Sequence, residues 1–445
     1  MGRFSAALRR ARACGRTSLI AEIKPRSADG VDLLRGRRPT DIARAYAAGG
    51  ATCLSVVTGK WFGGTPELLA EVAAESTLPI LCKDFIRNPN DVRAARDRGA
   101  SAVLVTLKVL ADIAVDAVID SCRELGLDPF VEVSSPAELA RAQARALPIL
   151  AINNKDIETR ERSGEGIDRS LQLKQAGADT VWVSASGIGA GDARTLARAG
   201  FEGLLVGTSL LEQEDPEAAT AAMVAALARP LVKICGVCRQ DELEALAPLG
   251  VDFVGLSHLP GEPVDLSPEV ARQLAQACPR ALQPWLVTIE RESERLNQQV
   301  ARVAPAAVQL SGFTRPSHAT ALRRAYPDLG IVQVVHARDG KIMEEAQLAA
   351  YADAGVDLFL LDRVGEGRLG STGHGLDDAT LTAFRALRPP RPWLIAGGLR
   401  AADVGERLAL SGAAGVDVFS SVRSEAGIDA GRVTALVAAV RGGAT

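Results

Sequence analysis

The 445-residue sequence contains no apolar run that reaches the ~18 residues needed to span a membrane as a helix. Its start, "MGRFSAALRRARACGR", also lacks the apolar segment of roughly 7–15 residues found in secretory signals. This stretch has Arg and Ser without acidic residues, as transit peptides do, but it runs straight into the first predicted strand. We therefore expect neither a membrane protein nor a targeting peptide.

A basic stripe or cluster of the kind that binds nucleic acid or a membrane surface is missing as well. The formal net charge is −3, and Lys and Arg are scattered among Asp and Glu. No global field favours a polyanionic partner. An anionic small molecule would have to be held by local sites.

Paired cysteines and metal-binding spacings are scarce. The seven Cys are odd in number and dispersed, which is typical of reduced thiols in a cytoplasm. Cys235-x-x-Cys238 has the spacing of a redox or zinc pair, but no second pair lies nearby. The four His show no ligand spacing and are expected at the surface or in hydrogen bonds, so we predict no metal and no cofactor.

What the sequence does have is a repeated alternation. Short Val/Ile/Leu-rich runs recur with amphipathic Ala/Leu/Arg/Glu-rich stretches between them, which indicates parallel β/α units. The first half contains the eight runs "SLIAEIK", "ATCLSVVT", "LPILCKDF", "SAVLVTL", "PFVEVS", "PILAIN", "TVWVSA" and "GLLVGT". The second half contains "LVKICG", "VDFVGLS", "QPWLVTI", "AAVQLS", "GIVQVV", "VDLFLLD", "PWLIAG" and "GVDVFSS".

Eight runs in each half predict an α/β protein with two consecutive (β/α)8 TIM barrels. Each half is close to the ~200–250 residues of such a barrel, and we place the domains at residues 1–229 and 230–445. A doubly wound sheet is the alternative fold, but it would have to explain eight units in each half. The junction near "ALARP" is short and lacks the composition of a flexible linker.

Ionisable residues stand where the predicted strands of the first half end, which is where TIM barrels carry their active sites. Glu22 and Lys24 share a face because they are two residues apart in a strand. Lys83, Glu132 and Asn153 end three further strands. A paired buried charge or a solvated strand end would explain any one of them. Because isolated buried charge is costly, their convergence predicts acid–base chemistry.

Glycines and hydroxyls follow strands seven and eight of both halves, at "SASGIG" (184–189), "VGTSL" (206–210), "AGGLR" (396–400) and "DVFSSV" (417–422). Glycine lets backbone N–H groups approach phosphate oxygens, and a helix N-terminus favours the negative charge. A single pair of this kind also occurs in plain turns. Its repetition at matching strands predicts two phosphate sites.

These stretches resemble two known families. Residues 18–215 are similar to indole-3-glycerol-phosphate synthase through "IAEIKPRS", "PILCKDFI", "AINNKDIET" and "LLVGTSLLEQEDP". Residues 231–441 are similar to phosphoribosylanthranilate isomerase through "VKICGVCRQDEL", "LFLLDRVGEGRLGSTG" and "GVDVFSSVRSEAGIDAGRV". The order, synthase first, resembles the fused bacterial enzyme of tryptophan biosynthesis.

For the second barrel the resemblance implies an Amadori rearrangement of N-(5-phosphoribosyl)anthranilate to a carboxyphenylamino-deoxyribulose phosphate. Asp362 would be the acid at the furanose oxygen and Cys235 the base at C2′. A thiol serves as base once a positive charge lowers its pKa, and Lys233 lies on the same strand face. The substrate and its phosphate would be held by Gly397, Gly398, Asp417, Ser420 and Ser421.

For the first barrel the resemblance implies closure of that product to indole-3-glycerol phosphate with loss of CO2 and water. Lys83 would be the general acid, Glu132 would move protons in the dehydration, and Lys24 would hold the leaving carboxylate with help from Glu22. The substrate's hydroxyls, aromatic ring and phosphate would be held by Asn153, Phe62, Phe85, Ser27, Lys155, Ser186, Gly187, Gly207 and Thr208.

Several positions depart from the family patterns. Ala185 stands in place of a substrate-binding glutamate, Lys155 in place of an arginine, and Ser311 in place of a histidine. Arg423 replaces a glutamate, and "GEPVDLSP" lacks the arginine of an "SPR" motif. The N-terminal helical extension of the synthase family is expected to be nearly absent.

These departures leave two alternatives to the tryptophan enzyme. One is a paralogue that acts on a substituted anthranilate or has one inactive barrel, and the other is a non-catalytic protein that binds phosphorylated ligands. Retention of the predicted catalytic residues argues against the second. For the tryptophan enzyme we expect phosphorylated anthranilate derivatives as ligands and no nucleic-acid or membrane partner. We also expect this enzyme to be a cytoplasmic monomer.

Overall fold

The computed structural model of the chain describes residues 2–155, 166–175, 180–260, 264–365, 368–369, 375–425 and 427–442. Parts of four motifs named above lie outside these ranges. They are residues 156–159 of "AINNKDIET", 261–263 of "GEPVDLSP", 366–367 and 370–373 of "DRVGEGRLGSTG", and residue 426 of "GVDVFSSVRSEAGIDAGRV".

The chain divides into two compact units. The first comprises Met1–Arg12 and Arg16–Ala228, and the second comprises Arg229–Thr445 with Ala13–Gly15. None of the described helices is long and apolar enough to cross a membrane.

Eight parallel strands form a closed barrel in the first unit, because the eighth strand pairs with the first through Ser18–Gly203 and the residues that follow. This closure confirms the predicted barrel and excludes the doubly wound sheet, which is open. The strands are β1 Ser18–Ile23, β2 Cys53–Val57, β3 Ile80–Lys83, β4 Ala102–Thr106, β5 Asp128–Val133, β6 Ile149–Asn153, β7 Val181–Ala185 and β8 Gly203–Val206.

The helices of the first unit surround this barrel. They are α1 Arg3–Ala13, α2 Pro39–Ala48, α3 Pro66–Glu75, α4 Pro89–Asp97, α5 Asp112–Leu125, α6 Pro136–Gln143, α7 Asp168–Leu173, α8 Ala190–Arg198, α9 Thr208–Leu211 and α10 Pro216–Leu227, with a 3-10 turn at Lys60–Phe62. Four of them start with a polar cap followed by proline, at Thr65-Pro66, Asn88-Pro89, Ser135-Pro136 and Asp215-Pro216. The cap side chain accepts a free backbone N–H of the first turn, and proline needs no partner there.

Helix α1 was not expected, because the sequence predicts that this stretch leads directly into the first strand. Its N-terminus is capped by Asp128, whose carboxylate accepts the Gly2 N–H at 3.0 Å and the Ser5 N–H at 2.7 Å. Phe4 packs edge to face on Phe130, with 6.0 Å between the ring centroids. Phe4 and Leu8 are fully buried in the same apolar cluster as inward-facing strand residues such as Phe130. The segment is therefore part of the barrel's core.

The second unit is also a closed eight-stranded parallel barrel, since β13 pairs with β15 and β18 pairs with β9. Its barrel strands are β9 Leu231–Ile234, β10 Phe253–His258, β11 Gln283–Thr288, β12 Ala307–Leu310, β13 Gly330–Arg338, β15 Leu358–Gly365, β17 Trp393–Ala396 and β18 Gly415–Val418. All sixteen predicted strands are thus present in the two units, within a few residues of the expected positions.

Helices and short additions complete this second barrel. The helices are α11 Gln240–Leu246, α12 Pro268–Ala277, α13 Ser293–Val303, α14 Pro316–Ala325, α15 Leu348–Asp353, α16 Asp378–Ala386, α17 Val404–Ser411 and α18 Ala430–Val440, with 3-10 turns at Ala247–Leu249, Glu345–Gln347 and Ser420–Val422. Unexpected short strands extend the loops at β14 Lys341–Ile342, β16 Arg368–Leu369, β19 Arg423–Ser424 and β20 Gly427–Ile428. The strand pair β13–β14 turns back over the carboxyl end of β13.

Candidate active sites

One carboxylate lies between two ammonium groups at the mouth of the first barrel. Glu22 on β1 places its Oε1 3.6 Å from Lys24 Nζ and its Oε2 3.2 Å from Lys83 Nζ, at the end of β3. Glu22 and Lys24 are buried, and only about a tenth of the Lys83 side chain is exposed. These three groups, predicted to converge from the ends of two strands, therefore form one cluster with two ammonium groups and one carboxylate.

A second polar pair comes from the neighbouring strands. Asn153 at the end of β6 donates from Nδ2 to Glu132 Oε1 on β5 at 3.0 Å, and its own Oδ1 accepts the Lys155 N–H at 2.9 Å. Both side chains are buried. The amide is thus held by the loop that follows it and in turn orients the carboxylate.

These polar groups form the wall of an apolar cavity of about 240 Å³. Lys83, Glu132 and Asn153 line it together with the predicted aromatic residues Phe62 and Phe85. The ring of Phe62 lies 5.2 Å from Lys24 Nζ. The cavity thus offers flat apolar surfaces next to an acid, a base and an amide, which suits an aromatic ring with a polar substituent.

A second cavity of about 300 Å³ adjoins Glu22 and Lys24. It is lined by four residues of the predicted phosphate site, Ser186, Gly187, Gly207 and Thr208, and by Lys155. A Cβ at Gly207 would sit 2.7 Å from Glu22 Oε1, so no side chain fits between this backbone and the carboxylate. Exposed main chain, hydroxyls and lysines in one concave surface suit a phosphate.

Ser27 is the predicted site residue that lines neither cavity of the first barrel. Its hydroxyl oxygen accepts the N–H groups of Asp29 at 3.3 Å and Val31 at 3.1 Å within its own loop. The apolar side chain of Ala185 suits its position, because this residue is fully buried in the inner core of the barrel.

Among the lining residues of the apolar cavity that the sequence did not predict, four carry a charged or aromatic group: Lys60, Trp61, Asp84 and Arg87. Asp84 accepts the Thr58 hydroxyl at 2.9 Å and the Phe85 N–H at 2.8 Å, which fixes the loop carrying Phe85. The available signal was their position directly after β2 and β3, in "TGKWF" and "KDFIR".

In the second barrel the predicted residues converge on one cavity of about 200 Å³ at the carboxyl ends of the strands. It is lined by the predicted acid and base and by all five residues assigned to the substrate and its phosphate, namely Cys235, Asp362, Gly397, Gly398, Asp417, Ser420 and Ser421.

An ion pair lies at the base of this cavity. Lys233 is fully buried and donates from Nζ to both oxygens of Asp417 at 2.9 Å. Burial by itself lowers the pKa of Lys233, but the Asp417 carboxylate and Cys235 outweigh it, and the pKa lies above its ordinary value. Asp417 therefore faces an ammonium group rather than an anion.

Burial and the nearby charge of Asp417 raise the pKa of Asp362 to about 6. Its Oδ1 accepts the Arg363 N–H at 2.8 Å, which opposes the rise only in part. A carboxyl group of this pKa is protonated in about a tenth of the molecules at pH 7, far more than an ordinary aspartic acid, and can act there as a general acid.

The expectation of a thiol with a lowered pKa at Cys235 is wrong for this structure. Burial raises the pKa of Cys235, and the Lys233 ammonium opposes that rise without overcoming it, because its charge is shared with Asp417. The Cys235 Sγ lies 4.0 Å from the Ser257 hydroxyl. The thiolate is therefore the minor form of Cys235, and the Lys233 ammonium is the group that favours it.

His336 is a lining residue of this cavity that the sequence analysis left among surface or hydrogen-bonded histidines. It is buried at the carboxyl end of β13, and its Nδ1 lies 2.6 Å from Glu344 Oε1. Its ring stacks on Phe313 with 4.0 Å between centroids. The signal that went unused was its place at a strand end, level with Asp362 on β15.

None of the seven cysteines, all within the described residues, is in a disulfide, and the N–H of Cys238 donates to Glu242 Oε2 at 2.9 Å. Within the described parts of the chain, no group of three or more His, Cys, Asp or Glu side chains is arranged to hold a metal ion.

Comparison with known proteins gives a family to each half. The family model for indole-3-glycerol phosphate synthase matches residues 2–223, and that for N-(5'-phosphoribosyl)anthranilate isomerase matches residues 232–439. Indole-3-glycerol phosphate synthase of Azospirillum brasilense is 38% identical over 229 residues, which are 50% of this chain and 86% of that protein.

One relative spans both halves. Tryptophan biosynthesis protein TrpCF of Salmonella typhi is 32% identical over 428 residues, 95% of this chain and 88% of that protein. Among solved structures, phosphoribosyl anthranilate isomerase of Thermus thermophilus is 25% identical, with a TM-score of 0.40 over 47% of this chain and 98% of that one. The matches give no support to a substituted anthranilate or to a non-catalytic role. The chain therefore belongs to the family of bifunctional tryptophan-biosynthesis enzymes, in which an indole-3-glycerol phosphate synthase domain precedes a phosphoribosylanthranilate isomerase domain.

Proposed function

We propose that each barrel carries out its reaction with the charged groups at its own mouth. The second barrel isomerises N-(5-phosphoribosyl)anthranilate, and the first closes the product to indole-3-glycerol phosphate. The observation that carries the proposal is that the predicted acid and base of each reaction line a single cavity, Lys83 with Glu132 and Asp362 with Cys235.

In the isomerase barrel, Asp362 protonates the furanose oxygen, and the ring opens to an iminium ion. The positive iminium nitrogen acidifies the C2′ hydrogen, which Cys235 removes to give an enolamine that tautomerises to the ketone. The base must act as thiolate, and the Lys233 ammonium is the nearby cation that stabilises it against the cost of burial. The raised pKa of Asp362, about 6, supports the role of acid.

The phosphate of this substrate rests on the backbone of Gly397, Gly398, Ser420 and Ser421. Positive φ values of 89° and 63° at the two glycines turn this segment in a way that other residues rarely adopt. Asp417 lines the same cavity, but a carboxylate repels phosphate. We therefore propose that Asp417 does not contact the phosphate itself and affects the substrate only by holding the Lys233 ammonium in place.

In the synthase barrel, the ring of the substrate lies between Phe62 and Phe85, and Lys83 protonates the ketone oxygen as the ring carbon attacks. Lys24 holds the carboxylate that leaves as CO2. Glu22 orients both ammonium groups, since each of its oxygens contacts one of them. Glu132 takes and returns protons in the loss of water.

Asn153 binds substrate hydroxyls, and the phosphate lies on Ser186, Gly187, Gly207 and Thr208 with Lys155 as counter-charge. The cavity that these five phosphate-site residues line is continuous with Glu22 and Lys24, which supports a substrate stretched from one cavity to the other. A contact of Ser27 with the phosphate stays a prediction, because its hydroxyl would have to leave the turn it now holds.

We also propose that the enzyme works as a cytoplasmic monomer. Seven cysteines without a disulfide suit a reducing compartment, and each barrel has a large apolar core of its own. Light scattering after size-exclusion chromatography tests the oligomeric state. A mass of 46.6 kDa is expected, and a mass of twice that value would contradict the monomer.

The direct test of the function is to supply each substrate separately. Fresh N-(5-phosphoribosyl)anthranilate should lose its fluorescence, and carboxyphenylamino-deoxyribulose phosphate should give indole absorbance. Turnover of neither substrate by a folded protein would contradict the proposal.

A further inference from the structure

The loop that follows β9 carries Cys235, and the guanidinium group of Arg423 binds its main chain. Arg423, just after the 3-10 turn that follows β18, donates from Nη2 to the Cys235 carbonyl at 3.3 Å and to the Gly236 carbonyl. These contacts join the main chain of the proposed base to the segment that contains Ser420 and Ser421. Arg423 occupies a position where the family pattern has a glutamate.

The guanidinium group is itself held in place. Its carbon lies 4.9 Å from the centroid of the Phe419 ring, and Nη1 lies 3.7 Å from Glu242 Oε1. The other carboxylate oxygen of Glu242 accepts the Cys238 N–H at 2.9 Å. Glu242 is buried, and the Arg423 side chain is only 16% exposed. The loop from Cys235 to Cys238 is thus bound by the arginine at one end and by its partner carboxylate at the other.

The loop that carries Cys235 packs directly against the ring of Phe419. Gly236 has a φ of +72°, and a Cβ at this position would lie 2.5 Å from the Phe419 ring. Because loop and ring touch, any shift of the Phe419–Arg423 segment displaces the main chain that bears the Cys235 thiol.

We propose that Arg423 is a positioning residue of the isomerase, which holds Cys235 in register with the phosphate site. This inference rests on the proposed function, in which Cys235 is the base and Ser420 and Ser421 hold the phosphate. The substrate is fixed at its phosphate end, so the base must keep a set distance from that anchor to reach C2′. Arg423 contacts both carbonyls through Nη2 and Glu242 through Nη1, so it uses two nitrogens of its planar fork, whereas lysine offers a single point of contact.

The test is steady-state kinetics of both reactions on the full chain. Arg423→Met should lower the isomerase kcat by about 10- to 100-fold, the cost of a small displacement of a catalytic group. The isomerase KM should stay within about threefold, since the backbone that binds the phosphate remains. The synthase activity should be unchanged and reports the amount of folded enzyme. Arg423→Lys should lose nearly as much kcat as the methionine variant.

A matched control removes the same kind of contact from the opposite end of the barrel. Arg391 donates from Nε to the Val356 carbonyl at 2.9 Å and from Nη2 to the Ala352 carbonyl at 3.1 Å, before β15 begins. Arg391→Met should lower stability and leave the isomerase kcat unchanged. An equal loss of kcat in both variants would reduce Arg423 to a structural residue.

Chemical rescue separates positioning from folding. Millimolar guanidinium ion should restore part of the isomerase kcat of Arg423→Ala and have no such effect on Arg391→Ala. An unchanged kcat in Arg423→Met, or a raised KM as its only defect, would overturn the inference. Cys235→Ala is assayed alongside. If that variant keeps full isomerase activity, the proposed function fails, whereas a dead Cys235→Ala with a fully active Arg423→Met refutes the inference alone.

Discussion

The two barrel mouths carry opposite arrangements of charge on the same scaffold. In the first, one carboxylate, Glu22, contacts two ammonium groups, those of Lys24 and Lys83. In the second, one ammonium group, Lys233, pairs with Asp417, and a further carboxyl group, Asp362, lines the same cavity. The cluster around Glu22 therefore has more ammonium than carboxylate groups, although Glu132 brings a second carboxylate to the same mouth, and the cluster around Lys233 has more carboxyl than ammonium groups.

This difference shows how equivalent strand ends serve different chemistry. Excess positive charge stabilises the oxygen anion that forms on a ketone and holds a leaving carboxylate. In the second barrel the negative charge of Asp417 adds to the effect of burial, and together they raise the pKa of Asp362 to about 6. The second barrel thereby gains a carboxylic acid near neutral pH, and the first gains two cations.

The largest expected effects come from crossed substitutions in the two mouths. Lys83→Ala should lower the synthase rate by roughly 10²- to 10⁴-fold, the contribution of a general acid, and leave the isomerase rate unchanged. Cys235→Ala should do the reverse. Both rates are measured on each variant with its own substrate. Loss of both activities in a still-folded single variant would contradict two independent sites.

Breaking the buried pair of the second barrel should have the next largest effect. Asp417→Asn leaves the Lys233 ammonium buried without its counter-charge, which costs about 3–5 kcal/mol in the free energy of unfolding. Denaturant unfolding measures this loss. Glu292→Gln removes an exposed ion pair with Arg295 in the same barrel, at 2.9 Å, and should cost less than about 1 kcal/mol. Equal costs in the two variants would show that the buried pair contributes no more than a surface one.

The pH dependence of the two reactions should differ through Asp362. Its pKa of about 6 means that isomerase kcat/KM falls as the pH rises through that value and the acid loses its proton. The sign for stability is the same, because between about pH 4 and 6 the folded chain holds a proton that the unfolded chain has released. The free energy of unfolding should therefore decrease over this window.

Asp362→Asn removes this group and tests both statements. The variant should lose isomerase activity, and its free energy of unfolding at pH 7 should rise by roughly 2 kcal/mol relative to the unsubstituted protein. The kcat/KM of the synthase reaction should show no such fall with rising pH. A pH-independent difference in stability between the two proteins would rule out the raised pKa.

The smallest expected effect is at Cys238. Cys238→Ser should leave both rates within about twofold, since serine retains the backbone N–H that donates to Glu242 and its hydroxyl can replace the longer Sγ contact of 3.7 Å. Rates with and without a reducing agent check this. A large loss of isomerase activity, or a Cys235–Cys238 disulfide detected by mass spectrometry, would restore the redox interpretation of this pair.

Much of the site was predictable because strand ends are marked locally. Lys83 ends an apolar run, and in a parallel barrel every such end lies at the same mouth. Helix α1 was missed for the opposite reason. Its cap comes from Asp128, which is 123 residues away from Ser5, and no local pattern announces that partner. His336 was missed because the sequence does not show that Glu344 folds back to hold its ring.

The amino-acid sequence alone determined the sixteen strands, their order and the chemical groups at their ends, because the period of apolar residues and the choice of residue at a strand end are local properties. Only the tertiary structure decided how those groups are charged. Lys233 and Asp417 are 184 residues apart in sequence, yet they form the ion pair that shares the ammonium charge. Burial then outweighs the lysine and raises the pKa of Cys235, although the lysine two residues away predicted a lower one. Solvent exclusion and long-range pairing are properties of the closed barrel, and they set the proton affinities on which the isomerase reaction depends.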